Sequence, residues 1–129
     1  MAVLQVQSTQ DKQVVDITNE IARSVPAGSG VLHVFVAHTT AALTTANLDP
    51  GTDQDLLDAL DNLLPDLEWR HAHDPAHAPD HLLSTIIGPS VSVPYHDGKL
   101  QLGMWQRIVL IEFDGPRERN ITVSALKSA

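Results

Sequence analysis

Val91-Ser92-Val93-Pro94 alternates apolar and polar side chains, and His96-Asp97-Gly98-Lys99 then turns the chain back into Leu100-Gln101-Leu102. Alternation with period two is the mark of a half-buried strand. Asp-Gly is a favoured pair where both central residues of a tight turn need positive φ, so the stretch predicts a β-hairpin. Downstream, residues 107–113 and 119–126 read as two further strands, separated by Asp114-Gly115-Pro116-Arg117. Upstream, residues 3–8 alternate like a first strand, and Val31-Leu32-His33-Val34-Phe35-Val36-Ala37-His38 has the composition of a buried one. On such a strand His33 and His38 point to opposite faces, so one site can draw on only one of them.

Helical periodicity is confined to short stretches. Val14, Ile17, Ile21 and Val25 recur at helical spacing and predict a helix over residues 17–24, with Asp16 as its N-cap and Pro26 and Gly28 beyond its end. A second helix is expected after Asp49-Pro50, with Asp capping and Pro at the first helical position. Leu56, Leu57, Leu60, Leu63 and Leu64 form its apolar stripe and Pro65 ends it. Residues 66–80 are polar and contain Pro75 and Pro79, which predicts a loop leading into a short segment near Leu82. Six to eight hairpin-linked strands against two or three helices define a compact α+β domain with a mostly antiparallel or mixed sheet, rather than a doubly wound one. A length of 129 residues and the absence of any repeat or linker make residues 1–129 one domain.

Composition excludes several function classes. Eight basic residues against sixteen acidic ones give a formal charge of −8, which disfavours nucleic acid and anionic lipid as partners. Arg107, Arg117 and Arg119 nevertheless fall in the C-terminal quarter, enough cations for one phosphate site. With no cysteine, disulfides, thiolate catalysis and Cys-type zinc sites are excluded. No apolar run is long enough to span a bilayer, and the N-terminal stretch lacks the basic start of a signal peptide, so a cytoplasmic location is expected; a chain without cysteine also suits the periplasm.

The compositional oddity is seven histidines. His73, His77 and His81 are spaced by four, which on a helix would align three imidazoles; Pro75 and Pro79 instead place them in a loop. Together with His71 they are either a solvated polar loop or part of a metal site, neutral imidazole being a common ligand. His38 at the end of its strand, followed by Thr39 and Thr40, can bind an anion or move a proton, or it can be satisfied by the backbone. Asp49 is a candidate site carboxylate and equally an N-cap. Glu112 shares a strand face with Ile108 and Leu110, so it must be paired, metal-bound or at a subunit interface; Arg107 lies on the other face. Arg117 sits where a rigid turn could fork it onto a phosphate, or where it is merely exposed.

Val36-Ala37-His38-Thr39-Thr40-Ala41-Ala42-Leu43, Asn47-Leu48-Asp49-Pro50, His73 through His81, Gly88-Pro89-Ser90, Gly103-Met104-Trp105-Gln106 and Glu112-Phe113-Asp114-Gly115-Pro116-Arg117 occur in an order that resembles the YjbQ family, small proteins described as secondary thiamine-phosphate synthases. The resemblance runs from about Gln5 to Val123. The chain departs from many relatives at Met104 (threonine there), at His77-Ala78 (Asn-Ala) and near Ala46 or Asn47, where relatives carry a glutamate. The resemblance implies a compact homotrimer with sites near subunit boundaries, and a transferase joining a pyrimidine diphosphate to a thiazole phosphate with release of pyrophosphate. Departure of pyrophosphate leaves a benzylic-type cation. On this reading His38, Asp49 and Arg117 carry the chemistry, and Thr39, Thr40, Trp105 and Gln106 bind the small phosphorylated substrate. His73 and His81 would hold a divalent metal, zinc or magnesium. Arg117 and the metal would neutralise the leaving group, while Asp49 and the face of Trp105 would steady the cation. The alternative is a trimeric metal- or small-ligand-binding protein without efficient catalysis.

Overall fold

A computed structural model describes all 129 residues. Eight strands and three helices follow one another as β1 (Ala2–Gln7), β2 (Gln13–Asp16), α1 (Thr18–Ala22), β3 (Gly30–Val36), β4 (Ala41–Ala46), α2 (Thr52–Asp61), α3 (Ala78–Ile87), β5 (Ser90–His96), β6 (Lys99–Leu100), β7 (Arg107–Glu112) and β8 (Glu118–Lys127). They form a five-stranded sheet in the order β1-β8-β3-β5-β6 and a three-stranded sheet in the order β2-β7-β4. Every strand pair is antiparallel.

The layering follows from β7, which is apolar on both faces. Ile108 and Leu110 meet Leu32, Val34, Ile121 and Val123 of the large sheet. Val109, Ile111 and Phe113 point the other way, onto Leu83 of α3 and the leucine stripe of α2. The small sheet is thus the middle of three layers, and a strand buried on both sides reads as a continuous hydrophobic run. Gly30 lets β3 and β8 close up, because a Cβ there would collide with the Leu126 carbonyl oxygen.

Several expectations hold and others need correction. The hairpin turn is as read: Asp97 and Gly98 have φ of 50° and 76°. The strands β2 and β4 were not expected; both are short and edge the small sheet. The first helix is shorter than residues 17–24, and Asp16 belongs to β2, although its Oδ1 still accepts from the Thr18 amide at 3.0 Å. Pro50 is not at the first helical position and Asp49 does not cap α2. Gly51, at φ 90°, intervenes, and the helix has no side-chain cap, so the Asp49 carboxylate is not spent on the helix. The stretch predicted as loop through residue 80 ends earlier. Asp74 Oδ1 accepts from the Ala76 amide at 3.0 Å, opening a single 3-10 turn over Pro75–His77 that runs into α3. Pro79 falls in the first turn of α3, where the missing N–H costs nothing, so it starts the helix instead of breaking it. His81 therefore stands on a helix.

Candidate functional site

Glu112 and Arg119 are both buried, at 0% and 2% exposure, at one end of the space between the two sheets. Antiparallel pairing sets Glu112 opposite Ala41, beside Thr40. The carboxylate accepts from Ser8 Oγ at 2.7 Å, from Arg119 Nε at 2.9 Å, from the Asp114 amide at 3.1 Å and, closely, from Arg119 Nη2. Arg119 Nη2 also donates to Thr40 Oγ1 at 2.8 Å and to the Thr40 carbonyl at 3.0 Å. Burial alone would raise the Glu112 pKa, but the hydrogen bonds from Arg119, Ser8 and the Asp114 amide, with the charge of Arg119, hold it below its usual 4.5. Glu112 is thus paired within the chain, and it gives no support to a subunit interface.

Around this pair lies a mouth flanked by His38, Thr39 and Arg117, in which each arginine faces a carboxylate, Arg117 that of Asp114 and Arg119 that of Glu112. His38 is half-buried, and its Nε2 accepts from the Asn120 backbone N–H at 2.9 Å. Partial burial and the charges of Arg119 and Arg117 lower its pKa below 6.5, with Glu112 acting the other way. Arg117 is anchored at its backbone, whose N–H donates to Ser8 Oγ at 2.9 Å. Its guanidinium donates to the Asp114 carbonyl at 2.8 Å and to Asp114 Oδ2 at 3.0 Å. Half of that side chain stays exposed, and a guanidinium has five N–H groups, so donors remain for a ligand. Thr39 is exposed, whereas the Thr40 hydroxyl is engaged by Arg119. His38, Thr39, Thr40 and Arg117, read from the sequence as one site, are brought together.

Asp49, Trp105 and Gln106 are not part of that mouth. Asp49, Asn47, Leu48, Met104 and Trp105 line a pocket of 200 Å³ with Asp16 and Arg107, and Arg107 pairs with Ala46 at the far end of β4 from Ala41. A six-residue strand spans about 17–20 Å, so the two groups lie at opposite ends of the small sheet. Arg107 Nε donates to Asp16 Oδ2 at 2.8 Å. Burial would raise the Asp16 pKa, but hydrogen bonds from Thr18 and Arg107 keep it low. Trp105 is 65% exposed, and Gln106 Oε1 pins the turn by accepting from the Gly103 amide at 2.7 Å.

The imidazoles of His73 and His81 flank His71, with ring centroids 6.0 Å and 4.6 Å from it. They meet as ring-on-ring contacts, and no three His, Asp or Glu side chains are arranged to hold a metal ion. His38 cannot complete such a set while its Nε2 lone pair serves Asn120, so the donors as placed do not fit the metal site that the resemblance implied. A larger cavity of 280 Å³ between α2 and α3, walled by Lys12, Leu57, Asp80, Leu83 and Phe113 among others, contains none of the candidate catalytic, substrate-binding or metal-ligating residues. No helix is long and apolar enough to cross a membrane.

Sequence reasoning counted Arg119 among the cations of a possible phosphate site and missed its pairing with Glu112. The signal was available: Arg119, Ile121 and Val123 alternate onto one face, which makes Arg119 a cation on an apolar face in need of a counter-charge. Glu112 poses the mirror problem, and each answers the other.

The fold defines a class: a two-sheet α+β protein with a buried Glu112–Arg119 pair at one end of the sandwich. The chain belongs to the YjbQ family, whose description, UPF0047 protein YjbQ-like, applies over residues 2–128. A UPF0047 protein of Archaeoglobus fulgidus is 40% identical over 115 residues, covering 88% of this chain and 91% of that one. YugU of Bacillus subtilis is 32% identical, covering 98% of each. Among solved structures, a YbjQ-like protein of unknown function from Sulfolobus solfataricus superposes with a TM-score of 0.89 at 33% identity, covering 98% of this chain and 96% of that one. A YjbQ/UPF0047 family protein from Clostridium acetobutylicum gives 0.88 at 34% identity, with coverage of 98% and 100%.

Proposed function

We propose that this chain binds a phosphorylated small molecule at the mouth formed by His38, Thr39, Arg117 and the buried Arg119, and that it serves as a transferase of the thiamine-phosphate synthase type. The observation that carries the reading is the Arg117 guanidinium, half-exposed with N–H donors to spare, close enough to His38 to act on its charge. Two guanidiniums there have one buried carboxylate, Glu112, and the nearby Asp114 as counter-charges. A phosphate or diphosphate oxygen is the partner that fits a forked guanidinium and an adjacent hydroxyl. Held there, Arg117 would steady a departing pyrophosphate by charge and by paired hydrogen bonds. Calorimetric titration with inorganic pyrophosphate tests this. Arg117→Lys, which keeps the charge and loses the fork, is expected to weaken binding about tenfold. Unchanged affinity would return Arg117 to a surface turn.

One observation favours the second reading, a ligand-binding protein without efficient catalysis. Asp49 and Trp105, the groups suited to steady a benzylic cation, lie a strand's length from the phosphate mouth. Turnover measured against the uncatalysed rate separates the two.

Self-association as a homotrimer is part of the proposal. Its physical support is the outer face of the large sheet, where Val3, Phe35, Val31 and Leu126 are 59%, 40%, 39% and 66% exposed. Light scattering at micromolar concentration is expected to report three times the 14.0 kDa chain mass; a stable monomer would contradict it.

A further inference from the structure

The hydrogen bond between Asn120 and His38 fixes more than the position of the ring. A backbone N–H can only donate, so the Nε2 atom that receives it at 2.9 Å must carry the lone pair. The proton of the neutral ring is then on Nδ1, and no protein acceptor takes it. We propose that His38 is a neutral hydrogen-bond donor whose Nδ1–H is offered to a phosphate oxygen at the mouth, and that it is neither a metal ligand nor a general base. The proposal rests on the phosphate reading above and assigns a role within it.

Each competing role carries a definite cost. Metal binding at Nε2 displaces the Asn120 amide, leaving an N–H without its partner at the start of β8. Binding at Nδ1 requires either stripping its proton to give an imidazolate or moving the proton to Nε2, where two N–H groups would then oppose each other. Protonation to the imidazolium meets the same opposition, since both ring nitrogens would be donors. A general base needs a free lone pair, and the only one is occupied.

Two of the three charged groups around the ring act in the same direction. Arg119 on β8 and Arg117 in the preceding turn both disfavour a third positive charge, and only Glu112 on β7 favours one. Partial burial adds to the arginines, so the ring stays neutral below its usual 6.5. The sign is consistent with function: as pH falls toward that value, His38 keeps its single Nδ1 donor while an ordinary histidine would be charging. A neutral donor complements the Arg117 guanidinium, which is half-exposed and supplies the charge-assisted hydrogen bonds. It adds direction, because one N–H points at one oxygen. Neutral imidazole acting as donor is a recognised way to polarise an oxygen without a proton changing hands in the ground state.

The test uses the intact protein labelled with nitrogen-15, reading the ring nitrogens of His38 by long-range proton–nitrogen correlation. His38→Gln identifies which signals belong to it. The expected result is the Nδ1–H tautomer, persisting neutral below pH 6.5, with the Nδ1 signals shifting when inorganic phosphate is added. An Nε2–H tautomer, or an ordinary titration, would overturn the assignment even if calorimetry with wild type still showed phosphate binding. The correct tautomer with Nδ1 unmoved by phosphate that calorimetry shows to bind would overturn the donor role. Absence of phosphate binding in calorimetry would remove the underlying reading and the proposal with it, and is told apart from the other failures by that separate measurement.

Discussion

Glu112→Ala is expected to destabilise the fold by ~3–5 kcal/mol, the cost of leaving a buried charge without its partner. The substitution removes the acceptor of four hydrogen bonds and strands Arg119, which is 2% exposed, among apolar neighbours. For a domain of this size that loss corresponds to a melting temperature lower by about 10–20 °C. Glu112→Ala with Arg119→Met should recover much of it, because a well-packed apolar replacement of a buried pair is often neutral. Urea unfolding of the two variants decides the matter; a loss under about 1 kcal/mol in the single variant would mean that Arg119 finds water. The pair also sets the response to acid. The Glu112 carboxylate has its pKa lowered on folding, so its contribution is complete above the unfolded value of 4.5 and is lost as pH falls through the folded one. Wild type should lose stability with falling pH in that window more steeply than Glu112→Ala.

Strands whose burial is one-sided or complete were legible, because period-two alternation and unbroken apolar runs are direct prints of a sheet face. Asp97-Gly98 was legible for a different reason: the turn demands positive φ twice, and few pairs supply it. The strands β2 and β4 were not. Gln13-Val14-Val15-Asp16 lies inside a stretch whose apolar residues also fit helical spacing, and Ala41-Ala42-Leu43-Thr44-Thr45-Ala46 carries small side chains of weak preference. Their strand character comes from pairing with β7, a tertiary effect. The prolines were misjudged in the same way. Pro79 forbids a helix only in its interior, and the sequence does not say where the first turn falls until Asp74 is seen capping the turn before it.

The site was legible in its residue types and not in its grouping. His38, Thr39 and Arg117 carry chemistry wherever they stand, and a family pattern picks them out. Whether Asp49 joins them depends on which end of β4 each occupies, and an unrecognised strand left that undetermined. Arg119 was hidden by the opposite error. Sought as a partner for Glu112, the nearest arginine along β7 is Arg107, which faces away, while the true partner is seven residues on, across the turn at Gly115. Buried ion pairs of this kind join strands, so their members are separated by a turn in sequence and meet only once the register is set.

That turn supports the last expectation, that Gly115→Ala costs ~2–3 kcal/mol through overpacking and weakens pyrophosphate binding as well. Gly115 donates its N–H to the Asp11 carbonyl at 2.9 Å. A Cβ on it would run into the Gln10 carbonyl oxygen, and would stand 2.7 Å from Ser8 Oγ and 2.9 Å from Glu112 Cγ. Relief requires the turn to move outward, and the turn carries Arg117, whose amide is held by that same Ser8 hydroxyl. Gly51→Ala is the matched control. Its φ of 90° strains an alanine by about 1 kcal/mol or somewhat more, yet nothing lies within 4 Å of the added carbon. Thermal unfolding and pyrophosphate calorimetry on both variants distinguish steric displacement of the mouth from plain backbone strain. Strain alone would destabilise only Gly51→Ala, since Gly115 is not among the positive-φ glycines, and would leave binding intact in each. Displacement would separate them, with Gly115→Ala less stable and its affinity reduced, and Gly51→Ala binding as wild type does.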